Sequence, residues 1–254
     1  MATSVKPRIR VREATPADVP AMVDIHYDAF GPDVINQLLF PGGVTQDARD
    51  KLSLTFFPPA VPGAKPGPET TYMVAELLPE GVPDGGPGEV VAFAKWVLFR
   101  EQRPEEEWNT PRVVTAEMLG EGSNPEVFNS FIGAMHMAKV EQAKGDPYLY
   151  LNVLATTPKY QRLGAGSALL RWGTELADRL GLPSYLEASP YGYPAYKRHS
   201  YQDLVVIDFE ITKTWGLAKL ESWNWGHNCA VALGGALADG SFRAIIMKRP
   251  FKSA

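Results

Sequence analysis

Asp146 to Tyr201 reads DPYLYLNVLATTPKYQRLGAGSALLRWGTELADRLGLPSYLEASPYGYPAYKRHSY. Leu149 to Thr156 is a run of apolar and β-branched residues too dense for a half-exposed strand, so it fits a strand buried on both faces, and Pro158 ends it. From Ala165 onward Leu169, Leu170, Trp172, Gly173, Leu176, Ala177 and Leu180 recur at helical spacing, the stripe of an amphipathic helix. Gly181 and then Pro183 close that helix. Tyr185-Leu186-Glu187-Ala188 is a second apolar run. Strand, helix and strand with joins this short predict a right-handed crossover between parallel strands.

The chemistry sits in the turn, Gln161-Arg162-Leu163-Gly164-Ala165-Gly166-Ser167. Its two glycines let the backbone turn tightly and approach a ligand, and the helix starting there points unpaired N–H groups outward with the positive end of its dipole. That is a phosphate site. Arg162 adds a charge and Ser167 a hydroxyl donor, a set that suits a pyrophosphate better than a single carboxylate. A P-loop is excluded because no Lys follows Gly166. The dinucleotide fingerprint would use Gly164 and Gly166, with Glu187 as the ribose acid, but Leu169 stands at its third glycine and residues 158–162 lengthen the turn.

The pattern [QR]-x-x-G-x-[GA] after a strand ending in x-x-P resembles the GNAT superfamily of acetyl-CoA-dependent N-acyltransferases, including the small GNAT-domain proteins of fungi. LATTPKYQRLGAGSALL is similar to its pyrophosphate-binding motif over the whole strand, turn and helix. PAYKRHSY is similar to the second signature, L-Y-x-K-x-G-F, with Tyr196 at the tyrosine, Tyr201 at the terminal aromatic and Ser200 in place of the glycine. The likeness is firm over residues 146–201 and topological elsewhere.

The resemblance implies an α/β (α+β) fold: a mixed, mostly antiparallel sheet with one splayed parallel pair and helices on both faces. It implies acetyl-CoA as co-substrate and a direct transfer of acetyl to an amine. The backbone N–H of Leu154 would face the thioester carbonyl and Thr156 would bond the pantetheine amide, with Ala155 between them. Gln161, Arg162, Leu163, Gly164, Ala165, Gly166 and Ser167 would hold the pyrophosphate. Ser189 stands where the family often has an Asn beside the cofactor arm, and Tyr196 matches the general acid. Tyr150 occupies a position where some relatives carry a glutamate base.

Glu187 is the only charge in an otherwise apolar strand, and an unpaired buried carboxylate is costly. Either Lys197 or Arg198 pairs with it, or it accepts the proton of the attacking amine. His26 and His136 read as ordinary helix histidines. The four His and one Cys show no metal-ligand spacing, and neither Ser167 nor Ser189 has a His at readable spacing for a nucleophilic triad.

At 254 residues and 45% hydrophobic content the chain reads as one domain over 1–254, with insertions at about 58–69, 100–145 and 215–240. A net charge of −4 without a basic block argues against a nucleic-acid surface. The single Cys229, the absence of an apolar leader in MATSVKPRIR and the lack of a membrane-length apolar run point to a cytoplasmic protein without a membrane partner. The expected acceptor is a small-molecule amine. Protein lysine or N-terminal acetylation is the alternative, and a non-catalytic acyl-CoA-binding module is the alternative of another class.

Along the rest of the chain, Arg8 to Arg12 alternates as an outer strand, and Thr15-Pro16-Ala17-Asp18 starts a helix whose buried face is Val19, Met22, Val23, Ile25, His26, Ala29 and Phe30. Helices are expected over Asp33–Phe40 and Thr45–Phe57, then a Pro/Gly loop from Pro58 to Pro68. Thr70–Leu78 and Glu89–Phe99 read as a hairpin with a long turn, Pro79–Gly88. The 100–145 insertion reads as a polar loop, with Glu105-Glu106-Glu107, followed by an amphipathic helix over Pro125–Lys144 that faces inward with Val127, Phe128, Phe131, Ile132, Met135 and Val140. Leu204–Thr214 and Ser241–Lys248 read as the last antiparallel strands. Trp215, Trp223 and Trp225 between them fill core, contact a second copy in a homodimer, or wall the acceptor pocket.

Overall fold

The computed structural model describes residues 8–59, 63, 67–79, 81, 83 and 86–252. The strands are β1 (Arg8–Glu13), β2 (Glu69–Leu78), β3 (Glu89–Phe99), β4 (Tyr148–Thr156), β5 (Ser184–Ala188), β6 (Gln202–Phe209) and β7 (Phe242–Arg249). They form one sheet in the order β1-β2-β3-β4-β5-β7-β6. Every neighbouring pair is antiparallel except β4 and β5. The expected mixed sheet with one parallel pair is therefore the fold.

The helices α1 (Val19–Phe30), α2 (Val34–Leu39) and α3 (Gln46–Leu54) follow β1. Each start is fixed locally. The Asp18 carboxylate accepts from the Thr15 amide at 2.7 Å and hydroxyl at 3.0 Å, Asp33 accepts from Ile35 N–H at 2.9 Å, and Thr45 accepts from Ala48 N–H at 3.2 Å. The third helix stops at Leu54, short of Phe57, because Phe56 turns inward to pack on Tyr72 and Phe93. Much of the Pro58–Pro68 loop and of the Pro79–Gly88 turn lies outside the described residues.

The insertion before β4 contains α4 (Glu105–Trp108), α5 (Ala116–Leu119) and α6 (Pro125–Ala143). The three glutamates thus lie in a helical turn, where negative charge suits the helix N-terminus. α7 (Ala165–Leu180) joins β4 to β5, and α8 (Tyr193–Arg198), α9 (Ile211–Trp215) and α10 (Val231–Gly234) complete the chain. Ile211–Thr214 was expected as strand and is helical. Phe209 pairs with Phe242, the first residue of β7, so nothing remains beyond it to pair with, and Thr212 N–H donates to Gly240 O at 3.0 Å as the chain curls into α9.

Two layers of side chains sandwich the sheet. On one face Leu169, Leu170 and Ala177 of α7 bury against Trp96, Leu149, Leu186 and Met247. Gly173 lies so close to Trp96 that a β-carbon there would fall within the indole ring. On the other face Met22 and Ile25 of α1 meet Val74, Phe93 and Ala155, while Val127, Phe131 and Met135 of α6 meet Phe242, Ala244, Ile246 and Trp225. Trp225 is buried and Trp215 lies 6.2 Å from Phe131, so these tryptophans fill core in the described structure. Among the described residues no helix is long and apolar enough to cross a membrane.

Candidate active site

β4 and β5 pair only from Leu149–Ser184 to Leu151–Leu186. Beyond that point β4 continues to Thr156 against β3, and β5 continues against β7, so the two strands splay and leave a gap. A bulge at Asn152, where Lys95 faces Val153 but Trp96 faces Leu151, resets the alternation of β4. Leu149 N–H, ahead of the bulge, donates toward β5 through Pro183 O at 3.0 Å, while Thr157 N–H, beyond it, donates toward β3 through Val91 O at 3.0 Å. Alternate residues point to opposite sides, so Leu154 and Thr156 turn their N–H and C=O groups into the gap. Without the bulge, Val153 and Ala155 would occupy those places.

The turn that follows closes one end of the gap. Thr156 O accepts from Gln161 Nε2 at 3.3 Å, and Arg162 and Gly164 adopt left-handed backbone conformations with φ of 66° and 102°. Gly164 is the N-cap of α7 and offers no side chain to satisfy the helix start. The first amide of the helix ladder is Ala168 N–H, which donates to Gly164 O at 2.9 Å. The amides of Ala165, Gly166 and Ser167 therefore precede the first intrahelical bond and stand uncapped at the positive end of a 16-residue helix. Gly166 lies against β4, where a β-carbon would make only an ordinary contact, 3.5 Å from Thr156 Oγ1. Arg162 and Leu163 are exposed beside it.

Tyr196 comes from α8 onto the same face as α7, buried among Leu154, Ala165, Leu186 and Ala188. Burial raises its phenol pKa above the ordinary value. Gly192 makes room for it: a β-carbon at 192 would come within 2.6 Å of Tyr196 Cε2. Tyr201 meets the same ring edge-on at 6.1 Å, and its own hydroxyl accepts from Ser184 Oγ at 2.9 Å. Ser189 half-faces this region, with Oγ accepting from Gly192 N–H at 3.3 Å, so its side chain holds the turn into α8. Ala155 is placed apart from the others, with its amide toward β3 and its methyl in the α1 core.

Glu187 lies on the opposite face, at the apex of the splay. Neither Lys197 nor Arg198 pairs with it; Lys197 is 3.2 Å from Asp203. Its partner is Lys139 of α6, whose Nζ lies 2.9 Å from Oε1 and 3.3 Å from the Tyr150 ring centroid. Tyr150 donates its hydroxyl to Glu187 Oε2 at 2.6 Å and accepts from Asn152 Nδ2 at 3.1 Å. Burial lowers the Lys139 pKa against the pull of Glu187, and burial followed by the Glu187 charge drives the Tyr150 pKa well upward. Lys139 escaped the sequence reading. It stands in the stripe Phe131, Met135, Lys139, Ala143, and a cation in a buried stripe is itself a signal that a buried acid faces it.

The site is thus a hole in a sheet, with backbone donors and a phenol on one face and a carboxylate network on the other. Two surface concavities of about 510 Å³ lie elsewhere, along β6 and along β1.

The sequence model of the Acetyltransferase (GNAT) family matches residues 87–201. The fold is similar to that of a mosquito arylalkylamine N-acetyltransferase like 5b, with a TM-score of 0.56 and 13% identity over 96% of this chain and 100% of that one. It is also similar to the histone acetyltransferase HPA2 and related acetyltransferase from Corynebacterium glutamicum, at a TM-score of 0.49 and 20% identity over 98% and 99% of the two chains. NAA60 of Arabidopsis thaliana in complex with acetyl-CoA matches at 0.46 and 13%, over 96% and 98%. Residues 87–201 match that family's sequence model, and they are set in a GNAT fold.

Proposed function

We propose that the protein transfers an acetyl group from acetyl-CoA to a primary amine of a small molecule, by direct attack within a ternary complex. The observation that carries this reading is the line of backbone groups, with Leu154 and Thr156 turned into the gap, ending at the uncapped amides of residues 165–167. An extended amide arm with a diphosphate at one end fits that line: the strand edge pairs with the arm as another strand would, and the turn with Arg162 takes the phosphates. When bound, acetyl-CoA supplies the thioester.

Leu154 N–H serves as the fixed donor for negative charge developing on the acyl oxygen, a contribution of roughly 3 to 4 kcal/mol where such donors have been removed. Tyr196 gives its proton to the departing sulfur. Its raised pKa keeps the phenol protonated across the working range, so the donor is present whenever the amine is free. Glu187, reached through the Tyr150 hydroxyl, receives the proton that the amine loses.

Incubation with acetyl-CoA and a pooled set of amines and lysine or N-terminal peptides, following free thiol and new masses together, tests the reading. Thiol release matched by acetylated small amines is expected. Acetylated peptides alone would move the acceptor to protein, and binding without turnover would make the chain a carrier. Tyr196→Phe should lower kcat by about 10²-fold or more. In the wild type the alkaline limb of the rate should lie above the ordinary phenol value of about 10. An unchanged kcat in the variant at every pH would remove Tyr196 from the mechanism.

A further inference from the structure

β4 and β5 part after the rung Leu151–Leu186, and the first residues beyond it on the two strands are Asn152 and Glu187. The Tyr150 hydroxyl bridges these two across the fork. It donates to Glu187 Oε2 at 2.6 Å and accepts from Asn152 Nδ2 at 3.1 Å. A phenol oxygen has one proton and two lone pairs to place, so one lone pair of Tyr150 remains for a further donor. The hydroxyl can thus take a proton on its oxygen while it hands its own to the carboxylate.

The other oxygen of that carboxylate is held from α6. Lys139 Nζ lies 2.9 Å from Glu187 Oε1 without hydrogen-bond alignment, so the pair is one of charge. The same ammonium sits 3.3 Å from the Tyr150 ring centroid, so one cation touches both members of the relay. Stability alone does not account for this placement, because a buried ion pair exchanged as a whole for apolar side chains of similar volume is often neutral or stabilising. Phe131, Met135 and Ala143 fill the rest of the stripe without charge. The other titratable and charged groups around Glu187 are Tyr148 on β4, Tyr185 on β5, His136 on α6, and Arg103 and Arg112 from the insertion, while Ile246 faces it from β7. Among the described residues Lys139 is the cation at salt-bridge distance from it.

Resting on the acetyltransferase reading, we infer that Lys139 is a positioning residue for the proton step: its ammonium keeps Glu187 charged and turned toward Tyr150, so that the acceptor amine loses its proton to the Tyr150 oxygen as Tyr150 passes its own to Glu187. Once the nitrogen has bonded to the acyl carbon, its N–H bond breaks as an O–H bond forms on Tyr150. The original Tyr150 O–H bond breaks as one forms on Glu187 Oε2, and the phenol is neutral before and after. Glu187 becomes neutral with Lys139 still charged beside it, and loss of that proton to solvent while Tyr196 regains one closes the cycle. Without the ammonium a buried carboxylate takes up a proton from solvent more readily, and the relay then has nowhere to deliver.

Steady-state rates with acetyl-CoA and two amines of different basicity, followed against pH, test this, since an acid limb of kcat that keeps its place with both amines belongs to the enzyme. Lys139→Met should lower kcat by about tenfold or more and move that limb up by about one pH unit or more, with the KM for acetyl-CoA unchanged. A purely structural lysine would change the amount of folded protein and leave the limb in place, and that result would overturn the inference. Tyr150→Phe keeps the ring under Lys139 and removes the relay, so kcat should fall by about 10²-fold, and this variant decides the matter if Lys139→Met does not fold. An unchanged kcat in Tyr150→Phe, in an enzyme that does turn over acetyl-CoA, would overturn the inference and leave the acetyltransferase reading intact. A wild type that neither binds nor turns over acetyl-CoA would overturn both.

Discussion

Ser200 holds a backbone φ of 67°, in the left-handed region that glycine enters freely, and it stands where the resembled signature has its glycine. The strained position is needed because Ser200 N–H and Tyr201 N–H both turn back to α8, donating to Lys197 O and Tyr196 O at 3.1 Å each, which swings Tyr201 under Tyr196. Ser200→Gly should raise stability by about 1 kcal/mol with kcat unchanged, measured by urea unfolding and initial rates. A loss of stability would show that the serine hydroxyl matters more than the strain. His26 gives a second test. Burial lowers its pKa from 6.5 to about 4, so the unfolded chain takes up a proton through that window while the folded one does not. Its contribution is full above pH 6.5 and is lost as pH falls toward 4, by up to roughly 3 kcal/mol. His26→Leu should flatten the fall in urea midpoint between pH 6.5 and 4.5, and an unchanged slope would mean that the imidazole is solvated. Nothing in the one-dimensional pattern separates His26 from an ordinary helix histidine, because its burial comes from Phe30 and the sheet below, whereas the Ser200 departure was visible at once against the motif.

At the scale of elements, α6 combines packing with charge. Lys139 is 2% exposed at its side chain and Glu187 is 13% exposed, so removing either partner leaves the other nearly dry. Lys139→Met should cost about 3 to 5 kcal/mol in urea unfolding, and Lys139→Met with Glu187→Gln should recover much of it. A loss below about 1 kcal/mol in the single variant would mean that water already solvates the pair. The strand-turn-helix-strand unit was legible in the sequence because its signals are local: a stripe at helical spacing, Gly181 at the helix end, and apolar runs at both sides. The bulge at Asn152 was not, since register belongs to the pairing of β4 with β3 and leaves no mark on β4 alone. The same limit explains the misread Ile211–Thr214, whose composition suits a strand but whose partner strand has ended.

Over the whole molecule, the insertions build the second half of the structure. The 215–240 segment is held to the sheet by Arg243, which is fully buried, pairs with Asp208 at 2.7 Å and donates to the carbonyls of Cys229, Gly234 and Gly235. The 100–145 insertion supplies α6 and the strap that Asn129 fastens to it through Val114, and so covers the face of the sheet that carries Glu187. The site came from the sequence unevenly: the turn from Gln161 to Ser167 and Tyr196 follow short motifs, while Lys139 is brought to Glu187 from a separate element, α6.

The central claim is that the gap between β4 and β5 and the amides at the head of α7 receive one extended ligand. A crystal structure of the protein with coenzyme A tests it most directly. The diphosphate is expected on the amides of residues 165–167 beside Arg162, the arm bonded to Leu154 and Thr156, and the sulfur within proton-transfer reach of the Tyr196 hydroxyl. A coenzyme bound elsewhere, with the turn empty and the phenol far from the sulfur, would contradict it.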